Sequence, residues 1–153
     1  MTNDTSHQTH RPDPDRTAAA PPPTVWPTLN YTDARAAIRW LRDTFGFIEV
    51  LVVTGDDPAV VEHSQLAWPE GGGVMLGTAD RDGNEFSLRP TGSGSTYVVT
   101  DRPDELHDRA VAVGAAMVRG LQDEDYGSRG FSVRDPEGNI WSFGTYRGEP
   151  IPR

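Results

Sequence analysis

Leu29-Asn30-Tyr31-Thr32-Asp33 returns 68 residues later as Tyr97-Val98-Val99-Thr100-Asp101. Each Thr-Asp pair is followed, at the same distance, by a glycine, Gly46 in the first case and Gly114 in the second. Further along, Val74-Met75-Leu76-Gly77-Thr78 returns as Trp141-Ser142-Phe143-Gly144-Thr145 at an offset of 67. Two copies of one unit, with a single residue of drift, account for both matches. A unit of this size is too long for a solenoid repeat and too short for an independent domain. Two of them are expected to share one sheet and to enclose a cleft, and that cleft is where function is sought.

Working outward from the repeat, each copy has the same internal order. In the first copy, an extended run from Trp26 to Tyr31 leads to Thr32 or Asp33, whose short side-chain oxygens suit a helix N-cap. Ala34, Ala37, Ile38, Leu41 and Phe45 then recur at helical spacing, with Arg35, Arg39 and Arg42 on the opposite face. Gly46 is placed to end this helix, because glycine adopts positive φ at little cost. Strands are predicted over Phe47–Val53, Val60–Trp68 and Val74–Thr78, separated by Gly/Pro/Asp turns. The second copy reads likewise. Ser95–Thr100 is a strand, Asp101 a helix cap, and Leu106, Ala110 and Val113 a buried stripe. Strands follow over Ala116–Leu121, Gly130–Arg134 and Asn139–Tyr146. Residues 81–94 are polar and Gly-rich and read as a linker.

Composition narrows the chemistry. The chain has 153 residues and a net charge of -9, which argues against a nucleic-acid binder; it suits cationic ligands, though an acidic surface more often serves only solubility. It has no cysteine, which excludes disulfides, thiolate metal sites and a cysteine nucleophile. All 14 basic residues are arginine, so Schiff-base chemistry and a P-loop lysine are excluded too. No apolar stretch approaches a membrane span and no signal-peptide pattern opens the chain, so a cytoplasmic protein is expected. Residues 1–24, which contain His7, His10 and Pro21-Pro22-Pro23, carry too little apolar surface to fold and are expected to be disordered. One domain is expected over 25–148, with module one at about 26–80, the linker at 81–94, module two at about 95–148, and a tail at 149–153.

A doubled strand-helix-strand-strand-strand unit resembles the vicinal-oxygen-chelate superfamily. The segments carrying the resemblance are Tyr126-Gly127-Ser128-Arg129, Phe131-Ser132-Val133-Arg134-Asp135-Pro136-Glu137-Gly138-Asn139-Ile140-Trp141, and the helix end Phe45-Gly46-Phe47. That superfamily includes glyoxalase I, extradiol dioxygenases, methylmalonyl-CoA epimerase, and the fosfomycin and bleomycin resistance proteins. The resemblance implies an α+β fold of two βαβββ modules, each a half-barrel with its helix on the outer face. It also implies a homodimer. Catalytic members hold a divalent metal with side chains from the first and last strands of each module. Carried onto this chain, those positions are Trp26 or Pro27, Met75, Ser95 and Ser142, none of which is a competent ligand. The chain therefore resembles the metal-free bleomycin-resistance-like members, and neither metal, cofactor nor catalytic residue is assigned.

Strand alternation sorts the candidate residues. Met75 is expected to face the cleft, with Gly73 and Gly77 beside it leaving room for a flat ligand against its thioether. Ser142 faces the cleft, while Trp141 and Phe143 pack against a helix. Asn30 and Tyr97 belong to the cleft face of their strands, and Tyr97 offers a ring plus a hydroxyl. Parity leaves Trp68 open between cleft and core. Tyr126, beside Asp123, Glu124 and Asp125, forms an acidic aromatic lip or a plain solvated loop, and Arg129 either binds a ligand carboxylate or pairs with the loop acids. His107 is expected on the solvent side of its helix. The ligand-binding set is thus Asn30, Trp68, Met75, Tyr97, Tyr126, Arg129 and Ser142.

The function expected from this set is non-catalytic binding of a planar or cationic small molecule, with an antibiotic one candidate. A lyase, isomerase or dioxygenase that uses Glu62 and His63 is the alternative. A dimeric interaction module without a small ligand is a second.

Overall fold

A computed structural model describes residues 25–152, so the expectations for residues 1–24, including His7 and His10, and for Arg153 lie outside it. Module one comprises β1 (Thr28–Tyr31), α1 (Ala34–Trp40), β2 (Ile48–Thr54), β3 (Val61–Ala67) and β4 (Gly73–Thr78). Module two comprises β5 (Ser95–Val99), α2 (Pro103–Ala112), β6 (Ala116–Asp123), β7 (Arg129–Arg134) and β8 (Ile140–Gly144). The modules do not share one sheet. Each forms its own four-stranded mixed sheet, in the orders β1-β4-β3-β2 and β5-β8-β7-β6. The first strand of each runs parallel to the last, and the other pairs are antiparallel.

A common core takes the place of a common sheet. Asp33 caps α1 by accepting from the backbone N–H of Ala36 at 2.9 Å. The helix widens into a π-turn over Leu41–Phe45 and stops at Gly46, whose φ of 84° suits only glycine well. This turn carries Phe45 across to module two, where its ring stacks on Phe143 at a centroid distance of 4.3 Å. Phe131 stacks on the same ring at 5.3 Å, and Phe47 lies against both Trp68 and Trp141. All six of these rings are nearly or wholly buried. Burying a large side chain of this kind stabilises by roughly 1.5–3 kcal/mol, so the interlocked rings bind the two copies into one unit.

Two local readings change. α2 begins at Pro103 after Arg102, with no side-chain cap from Asp101; Thr100 Oγ1 accepts instead from Arg102 N at 3.0 Å. Val113 is 56% exposed, because α2 ends one residue before it and its side chain falls off the buried stripe.

The repeated Gly-Thr pairs have a structural purpose. Thr78 Oγ1 accepts from Val61 N at 2.9 Å, and Thr145 Oγ1 accepts from Arg129 N at 3.0 Å, so each threonine anchors the start of its module's third strand. A second repeated pair, Pro69-Glu70 and Pro136-Glu137, joins the modules reciprocally. Glu137 accepts from the N–H groups of Thr32 and Asp33 at 2.6 and 3.0 Å, while Glu70 accepts from Asp101 N at 2.9 Å. Each module's final hairpin thus holds the other module's strand-to-helix corner.

Candidate functional site

The larger cavity, about 450 Å³, lies on the open face of the module-one sheet. Asn30 and Met75 are on its floor, as alternation requires, because Asn30 neighbours the core residue Tyr31 and Met75 sits between the buried Val74 and Leu76. Strand β3 supplies one wall. Its register against β2 slips between Val53 and Thr54, and this bulge leaves Glu62 and His63 both exposed between the buried Val61 and Ser64. Glu62 and His63 consequently both line the cavity.

The opposite wall comes from residues 81–94, the segment read from sequence as a plain linker. Asn84 Oδ1 accepts from Phe86 N and Ser87 N at 3.0 and 3.3 Å, nucleating a short 3-10 turn over Glu85–Leu88. The buried Ser87 ties this turn to Arg81 N at 2.9 Å, and Asn30 Nδ2 donates to Phe86 O at 2.6 Å. Arg81, Asn84, Phe86 and Arg89 thereby stand over the floor.

The space expected beside Met75 is filled by the protein. A side chain on Gly73 would meet the Trp26 ring at 2.6 Å and collide with the Leu66 carbonyl. One on Gly77 would lie 3.4 Å from Arg81 Nη2. The glycines admit protein groups lying flat across the strand; a ligand has its room further out.

Module two presents a different face. Tyr97 is 48% exposed and lies over Gly144, where an added Cβ would be 2.8 Å from its hydroxyl. That hydroxyl donates to Tyr146 O at 2.9 Å. Tyr126 packs edge-on against Tyr146 at 5.8 Å, and the Tyr146 hydroxyl donates to Glu149 at 3.2 Å. Desolvation, and then the Glu149 carboxylate, push the Tyr146 pKa up, so this hydroxyl stays protonated. Ser142 is paired with Ser132, their oxygens 2.7 Å apart.

The seven residues named from sequence therefore separate. Asn30 and Met75 share the 450 Å³ cavity. Tyr97 and the rim of Trp68 line a smaller groove of about 250 Å³ between β4 and β5, while Tyr126, Arg129 and Ser142 line neither. Trp68 is only 5% exposed and donates its indole N–H to Val99 O at 2.8 Å, which resolves the parity question towards the core. Arg129 makes a bidentate pair with Asp104 at 2.9 and 3.0 Å and a third contact with Asp123 at 3.2 Å. The Asp104 hydrogen bonds hold its guanidinium more firmly protonated, and Arg129 in turn draws the Asp104 carboxyl below its usual range. Glu124 pairs with Arg119, so the acidic lip is largely spent on internal arginines. His107 is half-covered, its ring edge-on to Phe131 at 5.4 Å. Among the described residues no group of three or more His, Asp or Glu could hold a metal ion. The donor set at Trp26 or Pro27, Met75, Ser95 and Ser142 does not fit the divalent metal of the catalytic vicinal-oxygen-chelate enzymes.

Residues 24–143 match the family model described as the glyoxalase/bleomycin resistance protein/dioxygenase superfamily. The chain belongs to that superfamily. A protein of Mycobacterium tuberculosis is 34% identical over 142 residues, covering 88% of this chain and 81% of its own. The crystal structure of TioX from Micromonospora is 32% identical with a TM-score of 0.63, covering 76% of this chain and 93% of that one. A lactoylglutathione lyase from Agrobacterium tumefaciens shares the superfamily fold at 24% identity and a TM-score of 0.59, over 81% of this chain and 95% of its own.

Proposed function

We propose that this protein binds a small molecule without transforming it, on the module-one floor around Asn30 and Met75, and so sequesters it. One observation carries the reading. At the positions where catalytic relatives place metal donors, this chain has a thioether on the cavity floor, a serine hydroxyl spent on Ser132, and no carboxylate or imidazole. Without a Lewis acid the superfamily's metal-dependent chemistry lacks its central group, while a cavity of drug-ligand size remains. The bleomycin-resistance branch named in the family description keeps an antibiotic among the candidate ligands.

The protein acts as a cytoplasmic homodimer in this reading. Strands β2 and β6 are edge strands of seven and eight residues, with Ile48, Val50, Leu51, Met117 and Val118 all exposed. Long apolar edges are an aggregation hazard unless something covers them. A second copy would cover them.

The test is a thermal-shift screen of chelator-treated protein against aromatic drugs, bleomycin among them, followed by recovery of the bound compound. Stabilisation by a drug recovered intact supports sequestration; a requirement for added metal sinks it. The enzymatic reading rests on a separate observation, the bulge that turns both Glu62 and His63 into the cavity. If it holds, His63→Ala abolishes turnover of a substrate while leaving its binding intact.

A further inference from the structure

Most arginines whose surroundings are described are already engaged. Arg42, Arg102, Arg119, Arg129 and Arg147 pair with carboxylates. Arg35, Arg109 and Arg134 donate to backbone carbonyls. Arg81 and Arg89 differ: both line the 450 Å³ cavity, and neither has a carboxylate within ion-pair distance among the described residues.

Arg81 is held ready. Its Nε donates to Thr78 O at 2.9 Å, its backbone N–H donates to Ser87 Oγ at 2.9 Å, and its guanidinium lies over Gly77 because glycine leaves that surface flat. Among the described residues both Nη groups remain for a ligand. Arg89 stands on the same wall, exposed and without a hydrogen bond among the described residues. The other titratable groups facing the cavity are Glu62 and His63 on the bulged strand. An unpaired guanidinium is a planar fork of donors that matches an oxyanion. The overall charge of -9 repels anions at long range, so an anion must be caught by fixed local donors such as these.

We propose that the segment joining the modules is the anion-recognition element of this cavity, with Arg81 and Arg89 gripping a carboxylate or phosphate group of the ligand. The ligand's apolar part lies on Met75, Leu29 and Phe86. This rests on the cavity being the small-molecule site and adds the charge class of what it takes, which differs from the cationic ligand suggested by composition.

The experiment uses three matched probes, 2-naphthoate, 2-naphthyl phosphate and 2-naphthamide, titrated into full-length protein with methyl-13C methionine. The Met75 methyl signal, assigned by Met75→Leu, reports on the cavity. At least one anionic probe should shift this signal and bind about tenfold tighter than the amide, the scale of one charge-assisted contact. Arg89→Gln, which removes no hydrogen bond among the described residues, should erase most of that preference, and Arg81→Gln should do the same. Amide binding should not change in either variant, and added salt should weaken only the anions. Comparing carboxylate with phosphate tells which oxyanion is preferred. Equal binding of anions and amide, unaltered in Arg89→Gln, would overturn the anion assignment and leave the binding site standing. No Met75 shift with any probe would overturn both.

Discussion

Asp135 gathers five hydrogen bonds on one buried carboxylate. Oδ2 accepts from the Tyr31 hydroxyl at 2.6 Å, the Trp141 indole at 3.0 Å and Asn139 Nδ2 at 3.0 Å. Oδ1 accepts from Glu137 N and Asn139 N, both at 3.0 Å. The Asp-Pro-Glu-Gly-Asn turn was legible as a hairpin, but its reach into module one was not, because Tyr31 lies 104 residues away. Tyr31→Phe removes a donor from a buried acceptor, and we expect it to cost about 1–3 kcal/mol. Burial first, then the Asp135 charge, pushes the Tyr31 pKa well above its ordinary value. The folded state therefore keeps this proton when the unfolded chain releases it. The contribution is complete below pH ~10 and lost as pH rises beyond it. Denaturant titrations from neutral to strongly alkaline pH should show a steeper loss in the wild type than in Tyr31→Phe.

Among the elements, the single residue of drift between copies matters most. Tyr31 pairs with Thr78 in module one, whereas Val99, its counterpart in the repeat, pairs with Gly144 in module two. A one-residue slip turns every side chain of a strand over. Hence Tyr31 is buried and Asn30 faces the cavity, while Val98 is buried and Tyr97 faces out. Alternation read from each strand separately gave these faces correctly, because period-two patterning is local. It gave no position for residues 81–94, which lack periodicity and are held by Asn30 and Asn139 from other parts of the chain and by an internal tie from Arg81 to Ser87. Arg81 was therefore overlooked; the glycine at position 77 was the available sign that something lies across the strand.

The reciprocal glutamates offer a test at this scale. Glu137→Ala frees two backbone donors and should cost about 1 kcal/mol, against a smaller loss for Glu70→Ala, which frees one. Their effects in urea unfolding should add within about 0.5 kcal/mol, since the two contacts share no partner. A markedly non-additive result would mean that the corners are coupled through the core. The Pro-Glu repeat was present in the sequence, but nothing local says that a turn glutamate reaches the opposite module.

For the whole molecule, the duplicated scaffold was readable from apolar spacing and helix-ending glycines, and the shared core follows from Phe45 crossing to Phe143. One chain leaves two incomplete faces, a cavity walled by arginines and an exposed cluster of tyrosines. If a second copy covers the exposed β2 and β6 edges, light scattering at micromolar concentration should give twice the monomer mass, and Val50→Lys with Val118→Lys should give the monomer with secondary structure retained. A monomeric wild type would contradict the dimer.

Capture without chemistry, on a site that needs no metal, is tested by incubating chelator-treated protein with a drug found by thermal shift and identifying by mass spectrometry what comes off after denaturation. Sequestration gives stoichiometric recovery of the unaltered compound, with binding indifferent to added divalent metal. A transformed product, or binding that appears only when metal is restored, would contradict it.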